Sequence, residues 1–276
     1  MRILIIFTLI IASATVKAQS IVSLGIPLYE IQLENLDLVS LDTKDQIFAS
    51  KRSGDIYQYN SKGMQLNSFS PSSQGKLQQL EAAWTVNIFT YSADFQEYRI
   101  LDRFLNPLVE KGFLLTDVNL AKASTLGNNN IIWVWDESDL SLKTFDYLRN
   151  QIIQSQPLSL ILPAENLEVL EIREFKNRLF MNVAHSGIYI FDNQSNLIQK
   201  LDVDSASRMC FYKEHLFWIQ DQNLMAISLE TREINTLSTI TYLNESYLQI
   251  GQNQLVIVSK NKIEIFLIPD WLRNIN

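Results

Sequence analysis

Apolar and polar positions alternate in blocks along this chain, and the blocks recur. An apolar run is followed by a tight polar turn, a second apolar run that tends to end in an aromatic, and another polar turn. The pattern starts at Ile47, Ile88, Ile132, Leu179, Leu216 and Leu255, so it recurs every 37 to 47 residues. The runs are rich in Val, Ile, Leu, Phe, Tyr and Trp, as strands require. The turns carry Ser-Gly, Asn-Asn-Asn and Asp-Glu-Ser-Asp, residues that tolerate tight backbone geometry. A period near ~40–45 with about four strands per unit predicts an all-β, six-bladed β-propeller with four-stranded blades.

Each copy supplies the second and third strands of a blade. First strands are expected at Leu36–Leu41, Leu77–Ala82, Val118–Ala123, Leu167–Ile172, Arg208–Tyr212 and Tyr247–Ile250. Fourth strands are expected at Gln65–Phe69, Pro107–Glu110, Gln151–Ile161, Leu197–Val203 and Ile234–Ile240. Leu77–Ala83 also suits a short helix on propensity, but its place in the repeat predicts strand. Nearly continuous apolar runs such as Leu255–Val258 fit inner strands covered on both faces. The sixth unit lacks a fourth strand, since Pro269-Asp270-Trp271 follows Ile263–Ile268. Pro27–Leu33 is a spare strand, and pairing it with Ile263–Ile268 closes the ring and removes the open edges. Trp271 is expected to plug that closure, and Trp84, Trp133 and Trp218 to pack in the core.

The first residues change the expected location. Met1-Arg2 is a short positive start, Ile3–Ile11 is apolar apart from Thr8, and Val16-Lys17-Ala18 presents small residues at a cleavage site. These are the parts of a secretory signal peptide. The expected organisation is a signal peptide over 1–18 and a propeller over 19–276, periplasmic or secreted. No cysteine near the cleavage site offers a lipid anchor, and no other segment predicts a membrane span.

The full chain carries a net charge of −7. Removing Arg2 and Lys17 leaves 21 basic against 30 acidic residues, a net −9. That argues against nucleic acid, which needs a basic face to neutralise its phosphates, and against adsorption to anionic membranes. Cys210 is the only cysteine, so no internal disulfide is expected, and its strand context predicts a small buried hydrophobe.

The third strand Gly187-Ile188-Tyr189-Ile190-Phe191-Asp192, with Ser195-Asn196-Leu197 after it, resembles the units of six-bladed propellers of the NHL and TolB-like kind. Ile56-Tyr57-Gln58-Tyr59-Asn60 with Lys62-Gly63-Met64 repeats it. The resemblance is to an architecture; it carries no catalytic motif, and it implies a protein of the Gram-negative envelope. Trp135-Asp136 looks like the dipeptide of WD repeats, but it falls at the end of a second strand and no Gly-His precedes it.

Candidate chemistry is sparse. His185 and His215 are the two histidines and fall in turns of different type, on opposite faces, so no metal pair and no cofactor site is expected. No nucleophile elbow, P-loop or dinucleotide fingerprint occurs. Asp136-Glu137-Ser138-Asp139 offers oxygen ligands to calcium but lacks the spacing of a calcium loop. The turns between second and third strands predict a recognition face built from Arg52, Tyr91, Glu97, Trp135, Asp136, His185, Asp221 and Lys260, mixed charge around aromatic anchors. The expected function is a non-catalytic protein- or glycan-binding or scaffolding module. The alternative is a propeller-fold hydrolase or lyase acting on an envelope or extracellular substrate.

Overall fold

The computed structural model describes residues 24–82, 86–162, 167–203, 208–240 and 246–275. The predicted signal segment, Trp84 and part of the connections after blades 3, 4 and 5 lie outside them. Six four-stranded antiparallel sheets form the six blades. Blade 1 is β2 (Leu36–Leu41), β3 (Ile47–Lys51), β4 (Ile56–Tyr59) and β5 (Gln65–Phe69). Blade 2 is β6 (Gln79–Glu81), β7 (Ile88–Ser92), β8 (Glu97–Leu101) and β9 (Pro107–Gly112). Blade 3 is β10 (Ala121–Leu126), β11 (Ile131–Asp136), β12 (Ser141–Asp146) and β13 (Gln151–Pro157). Blade 4 is β14 (Val169–Phe175), β15 (Arg178–Val183), β16 (Gly187–Phe191) and β17 (Leu197–Leu201). Blade 5 is β18 (Cys210–Tyr212), β19 (His215–Gln220), β20 (Asn223–Ser228) and β21 (Ile234–Thr239).

Blade 6 is β22 (Tyr247–Ile250), β23 (Gln254–Ser259) and β24 (Lys262–Leu267), completed by β1 (Tyr29–Gln32) from the other end of the chain. Tyr29 pairs with Ile265 and Ile31 with Ile263. Beyond the ladder, Leu28 N–H donates to the Ile265 carbonyl at 2.7 Å and Leu33 N–H to Asn261 at 2.9 Å. The expected closure is therefore the one observed. The C-terminal helix α1 (Asp270–Arg273) places Leu272 and Trp271 against the cluster between blades 5 and 6. Trp271 thus seals that seam, one interface away from the closing strand.

The aromatic-then-polar end of each third strand has a physical cause. Asn60, Asp102 and Asp192 each follow a third strand, and each Oδ1 accepts two N–H groups of the next turn at 2.8–3.0 Å. Asp146 does the same for Leu148 and Arg149 at 2.9 Å. Such side chain-to-backbone bonds pre-form the turn. The pairing register slips just before it in blades 1 to 4, and such bulges increase strand twist. Gly187 opens its third strand at φ +113°, and a Cβ there would lie 2.4 Å from the Leu201 carbonyl oxygen. Only glycine suits that start.

Each blade seam holds one apolar cluster: Ile56 with Leu80 between blades 1 and 2, Phe89 with Phe145 between 2 and 3, and Trp135 with Met181 between 3 and 4. Phe180 meets Phe211 between blades 4 and 5, Phe217 meets Ile257 between 5 and 6, and Val256 meets Ile47 between 6 and 1. Inner strands are accordingly buried, and outer ones such as β13 alternate with solvent. The predicted first strand Val118–Ala123 begins instead at Ala121, because the Asp136 carboxylate takes the N–H groups of Asn119 and Leu120. The predicted fourth strand Gln151–Ile161 stops at Pro157; Ile161 and Leu162 then donate to the Leu158 carbonyl in a turn.

Candidate functional site

Connections between blades and turns between second and third strands share one face. Backbone bonds tie them together: Phe113 N–H to Gln96, Glu137 N–H to Leu120, Leu158 N–H to Leu140, Ala184 N–H to Glu168 and Arg52 N–H to Asn35. This connector face holds the predicted recognition residues at different depths. Arg52, His185, Asp221 and Lys260 are exposed, one to a blade. Glu97 is half-buried, 3.3 Å from Arg99.

Tyr91, Trp135 and Asp136 do not reach the surface. Tyr91 is buried with its hydroxyl donated to the Ala121 carbonyl at 2.7 Å, and Trp135 lies in the cluster between blades 3 and 4. They sit on strands rather than turns, where ring area is worth more inside than outside. Asp136 is fully buried and bonded to Lys143 Nζ at 2.6 Å, Ser138 Oγ at 2.7 Å and the two N–H groups already named. Burial by itself raises its pKa. Lys143, Ser138 and the backbone donors outweigh burial and bring it down to about 2. Lys143 Nζ also lies 2.9 Å from Asp139. Two carboxylates of the acidic turn weighed for calcium are thus engaged by a buried lysine, and the third, Glu137, lies 3.5 Å from Lys122. Among the described residues no cluster of His, Cys, Asp and Glu is arranged to hold a metal.

The apolar component of this face comes from residues that the sequence reading passed over. Phe113 anchors the connection after blade 2, packed 5.2 Å from the Tyr98 ring and 5.5 Å from that of Phe145. Leu114 and Leu115 then project outward, Leu115 fully exposed at φ +69°. The next connection repeats the device, with Leu158 and Leu162 buried around a fully exposed Leu160. A buried anchor flanking a leucine in solvent is visible in sequence only once the connections are distinguished from strands.

The bore of the ring holds the second feature. Arg208 Nη2 donates to the Gln78 carbonyl at 2.9 Å and its Nη1 to Gln79 Oε1 at 3.0 Å, while Gln78 Nε2 donates to the Leu170 carbonyl at 3.2 Å. These bonds join blades 5, 2 and 4 across the bore. Glu171 accepts Met209 N–H at 2.9 Å and lies 3.6 Å from Arg208 and 3.9 Å from Arg173. Glu81 accepts a hydrogen bond from Thr125 at 2.6 Å; burial raises its pKa, with Arg173 opposing. On the face opposite the connectors the bore opens into a well of about 220 Å³, with Leu41, Phe211, Tyr212 and Ile250 among its walls and Arg173 in its lining. Cys210, nearby in β18, is buried and its thiol is pushed up to about 12 by burial, so it is chemically quiet. His215 begins β19 and is buried, which lowers its pKa.

No family model matches the chain, and comparison with curated proteins finds no relative. Among solved structures the chain is similar to the WD40 domain of Pan2 from Neurospora crassa, with a TM-score of 0.62 at 8% identity over 88% of this chain and 95% of that one. At that identity the likeness concerns the fold. Fold and strand order define the protein as a six-bladed β-propeller, an architecture widely used for binding and scaffolding. Among the described residues no helix is long and apolar enough to cross a membrane.

Proposed function

We propose that the protein is an exported, non-catalytic binding module of the cell envelope that engages a protein partner through its connector face. The observation that carries this reading is the presentation of Leu114, Leu115 and Leu160 in solvent by two neighbouring connections, each held by buried anchors. Exposing leucine costs free energy that a partner's surface recovers, and pre-ordered anchors reduce the entropy lost on binding. Arg52, Glu97, His185, Asp221 and Lys260 surround it with mixed charge, which favours partner choice and orientation. A glycan site is less well supported, because the aromatics Tyr91 and Trp135 are buried. The envelope location rests on the leader Met1–Ala18.

The test is affinity capture from the native envelope with cross-linking and mass spectrometry. One partner should be recovered with cross-links at Lys122 and Lys260, on this face. The double variant Leu114→Ser, Leu115→Ser should lose at least ~90% of recovery, as expected for central apolar anchors, with an unchanged melt. Recovery that ignores the double variant, or cross-links confined to Lys44 and Lys213, would move the interface elsewhere. The recovered chain should begin at Gln19; an N-terminus at Met1 would end the export reading.

A further inference from the structure

The well opposite the connector face is built around a cation with unused donors. Arg173 is 6% exposed. Its Nη1 donates to the Met209 carbonyl at 3.2 Å and lies 3.9 Å from Glu171. Among the described residues its Nε and Nη2 have no hydrogen-bond partner, and neither is among the sealed-off unpaired polar atoms. These two N–H groups form one edge of the guanidinium fork, the edge that matches the two oxygens of a carboxylate.

The surrounding charges leave this fork available. Glu171 is shared between Arg173, Arg208 and the Met209 N–H, so two guanidinium groups face one fully engaged carboxylate. At the rim, Asp42 Oδ1 is taken by the N–H groups of Lys44 and Gln46, both at 2.8 Å. Lys213 stands opposite, donating to the Arg273 and Ile275 carbonyls at 2.7 and 3.0 Å. Glu81 is a second carboxylate near Arg173, with its own hydrogen bond from Thr125 and a pKa raised by burial, so what the site offers is the open guanidinium edge rather than a surplus of charge. The bonds joining Arg208, Gln78 and Leu170 cross the bore three residues before Arg173 along β14, on the connector side of the well. Its lining is mixed: Leu41, Phe211, Tyr212 and Ile250 supply the apolar part, and Thr43, Gln249 and Gln252 stand among the polar part. A volume of about 220 Å³ equals the share of about seven waters, below the ~300 Å³ of ordinary drug-sized pockets.

We propose that this well binds a small amphipathic carboxylate, with the carboxylate seated on the Nε–Nη2 edge of Arg173 and the apolar part against Phe211 and Ile250. A free organic acid and the C-terminal residue of a peptide share this chemistry. The inference is independent of the partner reading, since it concerns the other face.

Benzoate is a suitable probe, with benzamide as its neutral isostere, followed by calorimetry and amide NMR of the purified protein. Benzoate should bind saturably and shift Gly251, Gln252 and Phe211, benzamide should not, and Arg173→Gln should weaken benzoate at least tenfold. Thr43→Trp, a change at the exposed rim, should block binding without altering the melt; it decides the matter if Arg173→Gln fails to fold. Two tetrapeptides ending in Phe, one with a free and one with an amidated C-terminus, separate the sources. Preference for the free terminus identifies a chain end, and benzoate binding without peptide binding identifies a free acid. Absence of saturable benzoate binding, or shifts scattered over surface lysines, overturns the proposal.

Discussion

Removing residues 19–34 should open the closed ring and cause the protein to aggregate. The deletion takes β1 from blade 6 and exposes the backbone edge of β24, whose residues 262–265 pair with 29–32. It also uncovers Val256, Val258, Ile263 and Ile265, which Ile31 and Leu33 help to bury. Fully burying a side chain of this size is worth about 1.5–3 kcal/mol, and an unpaired strand edge is a template for association. The expected result on size-exclusion chromatography is loss of the wild-type elution peak, or its survival with a Tm lowered by more than ~10 °C at about 2–4 °C per kcal/mol. A synthetic peptide spanning residues 24–35, added during refolding, should restore the wild-type peak. The milder change Ile31→Ala should cost roughly 2–5 kcal/mol. A deletion protein that elutes as wild type with an unchanged melt would show that the ladder between β1 and β24 contributes nothing to closure.

The second large effect belongs to Asp136. Its carboxylate fastens the connection after blade 2 to the end of β11 and pairs with Lys143, which is 3% exposed. Asp136→Ala leaves that ammonium buried with Asp139 as its remaining charged partner, and breaking a buried pair in this way costs about 3–5 kcal/mol. The Tm should drop by roughly 6–20 °C. Asp136→Ala combined with Lys143→Met should recover much of the loss, because two apolar groups need no partners. The pH dependence has a definite sign. The folded-state pKa is about 2 and the unfolded one about 3.9. The ionised carboxylate therefore stabilises the fold fully above about pH 4, and the contribution is lost as the pH falls towards 2. Wild type should lose about 2–3 kcal/mol in that window on account of this group. Asp136→Asn, melted at the same pH values in urea, should show a correspondingly shallower dependence; identical slopes would remove Asp136 from the account.

How much of this was legible beforehand differs between fold and site. Blade count, inner strands and closing strand follow from a recurrent apolar pattern and one unpaired segment at each end. Strand ends were less legible. Val118 to Leu120 read as strand by composition, yet a carboxylate sixteen or more residues away in the chain holds two of their N–H groups. The connector face was located by turn type, and Arg52, His185, Asp221 and Lys260 do stand exposed on it. Tyr91, Trp135 and Asp136 were chosen by proximity in sequence to those turns. Successive strand residues point to opposite sides, and a neighbouring blade decides what each side meets.

Arg173 and Arg208 illustrate the complementary gap. Both lie in or beside segments assigned as inner strands, where a charge interrupting an apolar run was itself a signal of the bore. Which donors remain free depends on residues from other blades, Met209 for Arg173 and Gln78 and Gln79 for Arg208. Local periodicity and turn chemistry act over a few residues, so the sequence by itself determined the repeat, the turns and the need for closure. Bonds across the bore join residues 130 positions apart, and those across the seam between blades 6 and 1 join residues 208 apart. Only the closed ring brings such groups together, and so only tertiary structure decided which aromatics were buried, which leucines were left outside and which cation kept an open edge.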